Sequence, residues 1–371
     1  MVTYISPDGA FGGPVRVALG QAAELAARGH QVTVYAGSPP SLAASTLEGG
    51  FTLRTFPARR IAPFGGFAAL AAPTLRRALD RDLSDIDVVH VHMARDLVTI
   101  PAALKVRARQ IPYVLQPHGM IDASSNPIAG PLDALATRRL LRDAQAVLTL
   151  TEQESKDILG IERRARVTPI RNGIHFDHQP SYEGRDSTVL FLARLASRKR
   201  PVAFVEMAIQ LRELLPDTRF VLAGPDEGEG PAVVAAIASS GMADRIEWIG
   251  PVEPSATDAL IASARAFVLP SFNEIFPMSL LEAFRAGTPV VTTSSLGIAD
   301  AAAGYSAAII TNGSASELAQ GVLEVMTDDT VPSTLRAGAE RYLRAELGIS
   351  AVVADLEGVY VQSLAGAGAG A

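Results

Sequence analysis

The fold is decided by the stretch STVLFLARLASRKRPVAFVEMAIQLRELLPDTRFVLA, which covers residues 187–223. A mostly apolar run at 187–192 leads into a basic loop, and apolar residues with helical spacing follow at 201–215. A second apolar run occupies 220–223. Apolar runs without alternation are typical of strands in a parallel sheet that is covered on both faces. The stretch therefore predicts one β–α–β unit.

The same alternation occurs in two consecutive series along the chain. Its apolar runs lie at 2–5, 32–36, 88–92, 113–116 and 147–150, and then at 187–192, 220–223, 246–249, 266–269 and 289–292. Two such series predict an α/β protein with two doubly wound, parallel-sheet (Rossmann-like) domains that face each other across a crevice. We place these domains at residues 1–178 and 179–348. A last helical pattern covers 349–364, and we expect a flexible tail at 365–371.

Composition excludes several classes of protein. The chain has 371 residues, of which 48% are hydrophobic and 19% charged, and its mean hydropathy is +0.21, as expected of folded domains. No apolar run reaches the ~18 residues of a membrane span. No export signal is visible, so we expect a cytoplasmic protein. The absence of cysteine excludes disulfides, thiolate nucleophiles, iron–sulfur clusters and cysteine-ligated zinc.

Charge is distributed unevenly between the two predicted domains. The formal net charge is −6, which argues against a nucleic-acid partner. Residues 1–178 carry 20 Lys and Arg against 16 Asp and Glu, whereas residues 179–371 carry 13 against 23. The first domain is therefore basic and the second acidic, and a phosphate site in the second domain requires a local cluster of cations.

Three loops that follow predicted strands carry residues suited to a phosphorylated ligand. In the first loop, Gly12 and Gly13 precede a helix, where backbone N–H groups can approach an anion. The second loop, residues 194–200, holds four positive side chains and no negative one. In the third loop, Glu274 precedes a helix, and Glu282 lies about 7 Å further along the helix axis. An ordinary turn or a solvated helix end is the structural alternative for each loop.

Taken in order, the motifs resemble those of a known family. They are Gly-Gly-Pro at 12–14, Pro-His-Gly-Met at 117–120, Asn-Gly-Ile-His at 172–175, Arg194 with Lys199, and Glu274 with Glu282. This set is similar to the signature of the retaining glycosyltransferases of family 4, which have the GT-B fold. The resemblance covers roughly residues 2–345. It implies that the C-terminal helix, 349–364, crosses back to the first domain.

The resemblance also implies roles for charged residues of the second domain. Arg194 and Lys199 would hold the diphosphate of a nucleotide-sugar donor and neutralise the leaving group. Glu282 would accept hydrogen bonds from the ribose hydroxyls, and Glu274 would contact hydroxyls of the donor sugar.

Further contacts are implied on both sides of the donor. Gly12 and Gly13 would close on the diphosphate from the first domain, and His118 would lie over the transferred sugar. The backbone N–H groups that would reach sugar and phosphate are those of Phe276, Met278 and Ser279.

The reaction implied is transfer of a sugar, as by a hexosyltransferase, from a UDP- or GDP-type nucleotide sugar with retention of configuration. The acceptor would be a saccharide, a lipid-linked molecule or a small molecule, in cell-surface polysaccharide or glycolipid assembly. The catalytic candidates are His118, Glu274, Arg194 and Lys199. Because two side-chain cations can stabilise the departing diphosphate, we expect no metal and no other cofactor.

Two other classes of function stay open at this point. One is a glycoside hydrolase that uses Glu274 and Glu282 as its carboxylate pair. The other is a noncatalytic or epimerase-type GT-B protein that binds sugar nucleotides. Turnover with an acceptor separates both from the transferase.

Some polar residues outside these motifs receive a structural interpretation. His90 and His92 lie on one face of a predicted strand. A metal pair is the alternative, but we interpret them as satisfied strand-end histidines. We interpret Asp226 and Glu227 as a solvated turn.

An apolar, glycine-rich segment at 61–70 lies between two pairs of arginines, Arg59-Arg60 and Arg76-Arg77. One interpretation is an ordinary loop with the start of a buried helix. The other is a contact with an acceptor or with an anionic membrane, at the inner face of the cell membrane.

Overall fold

The computed structural model describes residues 1–5, 12–40, 45–61, 66–121 and 133–368. The chain divides into two compact units, one made of Met1–His175 with Ile349–Ala371 and the other of Phe176–Gly348. The boundary between the first and the second unit therefore lies after His175, whereas the sequence predicts it after residue 178. The C-terminal segment belongs to the first unit.

The first unit is built on an eight-stranded sheet in the order β10-β9-β8-β7-β1-β2-β4-β3. Its strands are β1 (Val2–Tyr4), β2 (Thr33–Ser38), β3 (Ser45–Glu48), β4 (Phe51–Pro57), β7 (Val89–His92), β8 (Tyr113–Gln116), β9 (Ala146–Thr149) and β10 (Val167–Pro169). A separate hairpin pairs β5 (Arg59–Arg60) with β6 (Leu70–Ala71). The helices are α1 (Gly12–Ala27), α2 (Pro73–Asp82), α3 (Thr99–Ala108), α4 (Arg138–Asp143) and α5 (Glu152–Ile161).

The first sheet differs from the purely parallel sheet that the sequence predicts, because its edge strand, β3, is antiparallel. β3 runs antiparallel to β4, whereas the other described pairs of this sheet are parallel. The two residues between them, Gly49 and Gly50, have φ angles of 53° and 82°. Two consecutive left-handed residues form the tight turn whose twist matches that of a hairpin, and glycine adopts them without strain. The glycine pair is therefore the reason that the chain reverses here.

The second unit is built on six parallel strands in the order β13-β12-β11-β14-β15-β16. These are β11 (Asp186–Leu192), β12 (Arg219–Ala223), β13 (Ile246–Trp248), β14 (Ala264–Leu269), β15 (Val290–Thr293) and β16 (Ala308–Thr311). The helices are α6 (Pro201–Gln210), α7 (Gly230–Ser240), α8 (Pro254–Ser263), α9 (Met278–Arg285), α10 (Ala299–Gly304), α11 (Ala315–Thr327) and α12 (Thr330–Tyr342). The rings of Phe191, Phe204 and Phe220 pack in its core.

The last helix, α13 (Ile349–Gly368), packs on the first unit. Four of its residues share one buried cluster with the sheet and α1; the cluster comprises Leu25, Val114, Ala146, Leu148, Ile170, Ile349, Val352, Val353 and Leu356. The helix continues to Gly368, so residues 365–368 are helical although the sequence places them in a flexible tail. Residues 369–371 lie outside the described part. Among the helices of the described residues, none has the length and apolar character that a membrane crossing requires.

Gly173 lets the start of α13 approach the 172–175 motif closely. The N–H of Ile349 donates to the carbonyl of Ile174 (3.1 Å). A Cβ added at Gly173 would lie 2.8 Å from the Cα of Ile349, which is backbone and cannot rotate away. The close approach, and not a special backbone angle, therefore requires glycine at this position.

We expect Gly173→Ala to lower the free energy of unfolding by about 1–3 kcal/mol, because the added methyl group forces α13 away from its site. Urea unfolding monitored by circular dichroism measures the change. The matched control is Gly160→Ala on α5, where an added Cβ meets nothing within 4 Å and should stabilise by about 0.5–1 kcal/mol. Equal midpoints for the two variants would contradict the steric explanation.

Candidate active site

The second sheet changes direction around β11. The chain adds β12 and β13 on one side of this strand and then returns to add β14 on the other. Ligands of doubly wound sheets bind at such a switch point, beyond the carboxyl ends of the strands. Here the N–H of Leu195 donates to the carbonyl of Pro225 (2.8 Å), and the N–H of Phe272 donates to that of Arg198 (2.8 Å). These bonds join the loops that follow β11, β12 and β14.

Lys199 and Glu274 form a buried ion pair across this switch point. Lys199 ends a short 3₁₀ turn, after which Arg200, with φ 53°, and Pro201 lead the chain into α6. The Nζ of Lys199 donates to Oε1 of Glu274, and the two side chains are only 8% and 11% exposed. Burial lowers the pKa of Lys199, and the carboxylate of Glu274 opposes that shift. The pair thus places a cation where little water reaches it.

The second carboxylate oxygen of Glu274 has no partner within the described ranges. This oxygen, Oε2, is buried and accepts no hydrogen bond from the described residues. The backbone around it is held, because the carbonyl of Glu274 accepts the N–H of Gly297 (2.9 Å). Leaving a buried acceptor unpaired costs roughly 1–3 kcal/mol. This oxygen is therefore suited to accept a hydrogen bond from a hydroxylated ligand.

Arg194 pairs with Glu227, which lies in the loop after β12. The two side chains are 23% and 43% exposed, so this pair is far more accessible than that of Lys199. Exposed ion pairs contribute only about 0.2–1 kcal/mol, and an incoming anion can replace Glu227 at low cost. The interpretation of Asp226 and Glu227 as a solvated turn overlooks this contact. The contact depends on β11 and β12 being neighbours in the sheet, which the sequence does not show.

The helix α9 begins directly after the loop that carries Glu274. Pro277 directly precedes its first residue, with φ −76° and ψ 106°. The N–H groups of Met278 and Ser279 belong to the first turn, where a helix has no acceptors of its own and carries partial positive charge. Phe276 lies in the same loop, two residues before the helix. The helix start is therefore available to an anion.

Glu282 lies on the second turn of α9 and is 5% exposed. It has an interaction partner within the protein. The carboxylate is consequently held in place and not solvated, in contrast to the alternative of an exposed helix residue.

Gly12 and Gly13 are the first two residues of α1. The sequence predicts that both lie in the loop before the helix, so the helix begins earlier than expected. Their N–H groups lie at the positive end of α1. Residues 6–11, which precede them in the chain, lie outside the described part.

His118 follows β8 in a tight turn. The N–H of Met120 donates to the carbonyl of Pro117 (2.9 Å), and His118 and Gly119 have φ angles of 54° and 73°. A left-handed conformation is strained for a residue other than glycine, so the surroundings must hold the turn. Burial lowers the pKa of His118 to about 3. The imidazole is therefore neutral at physiological pH.

Two residues that the sequence analysis did not select for the site contact this turn. Nδ1 of His92, at the end of β7, lies 2.8 Å from Nε2 of His118. Glu154 on α5 accepts the N–H of Gly119 at Oε1 (2.6 Å) and that of Leu150 at Oε2 (2.6 Å). Glu154 could have been found as the third residue after the helix cap Thr151, a position that favours Glu.

The structure groups the predicted site residues by unit. The second unit brings together the loops and helix that carry Arg194, Lys199, Glu274, Phe276, Met278, Ser279 and Glu282. The first unit carries Gly12, Gly13 and His118 at the carboxyl-end loops of its own sheet.

Comparisons with known proteins extend over both units. The model described as "Glycosyl transferase 4-like domain" matches residues 12–173, and the model described as "Glycosyl transferases group 1" matches residues 175–342. A 2-deoxystreptamine N-acetyl-D-glucosaminyltransferase of Niallia circulans is 31% identical over 150 residues, which is 40% of this chain and 38% of that protein. A D-inositol 3-phosphate glycosyltransferase of Mycolicibacterium smegmatis is 26% identical over 367 residues, covering 90% of this chain and 82% of that protein.

Solved structures share the fold. Anabaena HepE in complex with UDP-glucose has a TM-score of 0.72 at 17% identity, over 96% of this chain and 98% of that one. Sucrose-phosphate synthase from Thermosynechococcus elongatus has a TM-score of 0.75 at 16% identity, over 98% and 99%. At these identities the likeness concerns the fold alone, but the two family models together span most of the chain. The chain belongs to the family 4 glycosyltransferases and has the GT-B fold.

Proposed function

We propose that this protein is a retaining, metal-independent glycosyltransferase of the hexosyltransferase type with a UDP- or GDP-type nucleotide sugar as its donor. Its acceptor is a saccharide, a lipid-linked molecule or a small molecule, and its place is in the assembly of cell-surface polysaccharide or glycolipid. The observation that carries the proposal is the buried Lys199–Glu274 pair at the switch point of the second sheet.

The chemistry of the leaving group explains the cations. When the bond between sugar and diphosphate breaks, negative charge develops on the departing phosphate oxygen. Lys199 is largely shielded from water, so its charge stabilises that oxygen more strongly than it would in bulk solvent. Arg194 supplies a second cation when the diphosphate displaces Glu227. In the proposal these two side chains, with the start of α9, take the role that a divalent ion plays elsewhere.

The carboxylates bind the neutral parts of the donor. Glu274 is held by Lys199 through Oε1, which leaves the buried Oε2 to accept a hydrogen bond from a hydroxyl of the donor sugar. Glu282 is assigned to the ribose hydroxyls. The N–H groups of Met278 and Ser279 are assigned to the phosphate, with that of Phe276 beside them.

Retention is proposed to arise from attack on the face that the diphosphate leaves, with the departing phosphate oxygen taking the proton of the acceptor hydroxyl. Glu274 is engaged with Lys199 and serves as a binding group, so it is not assigned as the nucleophile. His118 of the first unit is assigned to the transferred sugar. As a neutral imidazole it does not oppose the positive charge that develops at the anomeric carbon.

The relatives support the donor and acceptor classes. HepE is described in complex with UDP-glucose, and the curated relatives are named as glycosyltransferases of 2-deoxystreptamine and of D-inositol 3-phosphate. These names favour a nucleotide-sugar donor and a small hydroxylated acceptor within the range proposed.

We also infer a peripheral contact with an anionic membrane, at its cytoplasmic face. Arg59 and Arg60 of β5 and Arg76 and Arg77 of α2 are exposed, and none has an ion pair in the described chain. The neighbouring Ile61 is 65% exposed. Basic side chains beside an apolar one suit a surface of anionic headgroups over hydrocarbon. Residues 62–65 of the predicted segment lie outside the described part.

We expect Arg194→Ala and Lys199→Ala each to weaken binding of UDP or GDP by roughly 10- to 100-fold, because each removes a charged donor to the diphosphate. Glu227→Gln should strengthen binding, because it removes the carboxylate that competes for Arg194. Isothermal titration measures all three. The control is Arg219→Ala, which breaks the exposed Arg219–Glu247 pair at the start of β12. Unchanged affinity in both cation variants would show that the diphosphate binds elsewhere.

The reaction itself is tested by incubating the protein with UDP-, GDP- and ADP-activated sugars and a panel of hydroxylated acceptors. We expect acceptor-dependent turnover that persists in EDTA and a product with the anomeric configuration of the donor, assigned from proton coupling constants. Glu282→Gln should raise KM for the donor. A product with inverted anomeric configuration, or turnover that stops in EDTA, would contradict the mechanism. Release of free sugar at the same rate with and without acceptor would indicate a hydrolase.

Membrane contact is tested by flotation with vesicles. Replacing both Arg76 and Arg77 by Gln should weaken binding to anionic vesicles roughly tenfold or more, since each basic side chain contributes about 1 kcal/mol. The matched control replaces Arg163 and Arg164, an adjacent exposed pair in the same unit, by Gln. If the fraction of protein bound to vesicles does not change with the content of anionic lipid or with the salt concentration, the inferred membrane contact is wrong.

A further inference from the structure

Three histidines form a continuous row in the first unit: His90 and His92 are buried and stack on each other, and His92 meets the half-buried His118 edge to edge. The rings of His90 and His92 on β7 have centroids 4.4 Å apart at 21°, and those of His92 and His118 are 5.1 Å apart at 11°. Nδ1 of His90 lies 2.8 Å from the hydroxyl of Tyr360 on α13. His118 is therefore the end of a series of side chains that begins on the last helix.

The hydrogen bond between Nδ1 of His92 and Nε2 of His118 needs one proton, carried by one of these two nitrogens. The surroundings of the other nitrogen of His92 indicate which of them carries it. Burial lowers the pKa of both rings, so both are neutral, and one of the two facing nitrogens donates to the other. Nε2 of His92 is buried with no partner in the described chain. If His118 donated, this nitrogen would be an unpaired N–H; if His92 donates, it is an unpaired acceptor. Among backbone groups, buried N–H donors without a partner are rarer than acceptors without one. By analogy, we assign His92 as the donor.

The consequence appears on the other nitrogen of His118. A neutral imidazole that accepts at Nε2 carries its proton on Nδ1. No atom of the described chain forms a hydrogen bond with Nδ1 of His118, and the residue is only partly buried. Nδ1–H is therefore a donor left for a ligand. In water neutral histidine prefers the other tautomer, so the protein must enforce this one.

Glu154 fixes the backbone of the same turn. Its carboxylate is fully buried on α5, and each oxygen accepts one N–H group, from Gly119 and from Leu150. Gln at this position has one oxygen and one amide group, so its NH₂ would face an N–H donor. The left-handed turn of His118 and Gly119 thus depends on both carboxylate oxygens.

We propose that His92 and Glu154 are positioning residues for His118: His92 donates to Nε2 and keeps the proton on Nδ1, while Glu154 holds the turn, so that Nδ1–H donates to a hydroxyl oxygen of the transferred sugar. This proposal rests on the assignment of His118 to the sugar made above. Its structural half, the tautomer, concerns the protein without ligand and is testable by itself.

The tautomer is measured by long-range ¹H–¹⁵N correlation on the full chain with labelled histidine, with signals assigned through single-histidine variants. In the wild type we expect His118 protonated on Nδ1. His92→Phe keeps an aromatic ring but removes the donor, and it should shift His118 toward the Nε2–H form. His92→Asn offers an amide donor in place of Nδ1–H and should restore the original tautomer at least in part.

Kinetics provide the second readout, with the donor sugar and acceptor found in the turnover assay. We expect His92→Phe and Glu154→Gln to lower kcat roughly tenfold while KM for the donor changes little, because the lost contact matters most in the transition state. His92→Asn should recover activity relative to His92→Phe. The matched control is Glu152→Gln, an exposed carboxylate on the same helix, which should behave as the wild type.

The outcomes separate this proposal from the proposed function. A wild-type His118 protonated on Nε2, or a tautomer unchanged in His92→Phe, would overturn the positioning proposal whatever the enzyme does. Loss of activity in His92→Phe that His92→Asn does not relieve would also count against it. The expected tautomers without any sugar transfer would support the positioning and reject the function.

Discussion

Parallel strands bring their carboxyl ends to one edge of a sheet, and the contacts at the candidate site depend on this constraint. In the second unit β11 lies between β12 and β14, so Lys199 reaches Glu274, 75 residues later, and Arg194 reaches Glu227. In the first unit β7 and β8 are neighbours, which brings His92 to His118. A different order of strands would separate every one of these pairs.

The Lys199–Glu274 pair is better explained by its ligand than by stability. Removing two charges from water costs several kcal/mol per ion, and the attraction between them repays this only when all their hydrogen bonds are made. Here no residue in the described part of the chain donates to Oε2 of Glu274. In other proteins, apolar side chains that replace a buried ion pair often leave stability unchanged or raise it. The incomplete bonding of Glu274 is the property expected of a group that waits for a partner from outside the chain.

Much of this could be predicted from the sequence, for identifiable reasons. The apolar runs and the helical spacing between them predicted two parallel-sheet units, because local pattern determines which segments become strands. The candidate residues Lys199 and Glu274 were found because each lies in a loop directly after a strand. That the two form a pair was not predictable, since it depends on β11 and β14 being neighbours.

Other features of the site depend on tertiary structure in the same way. Glu227 was interpreted as a turn residue because its contact with Arg194 requires the order of β11 and β12. The roles of His92 and Glu154 depend on rings and N–H groups that meet only in the folded unit. The start of α1 at Gly12 differs from prediction because glycine weakens a helical pattern in sequence, although the first turn of a helix tolerates it.

The first unit takes its last helix from beyond the second unit, and this affects the order in which the protein is made. The second unit is continuous from Phe176 to Gly348, so a ribosome delivers all of it before any of α13. Until then Val114 and Leu148 lack the apolar helix that covers them. During translation the second unit can fold to completion while the first still presents an uncovered apolar surface, which is the kind of surface that chaperones bind.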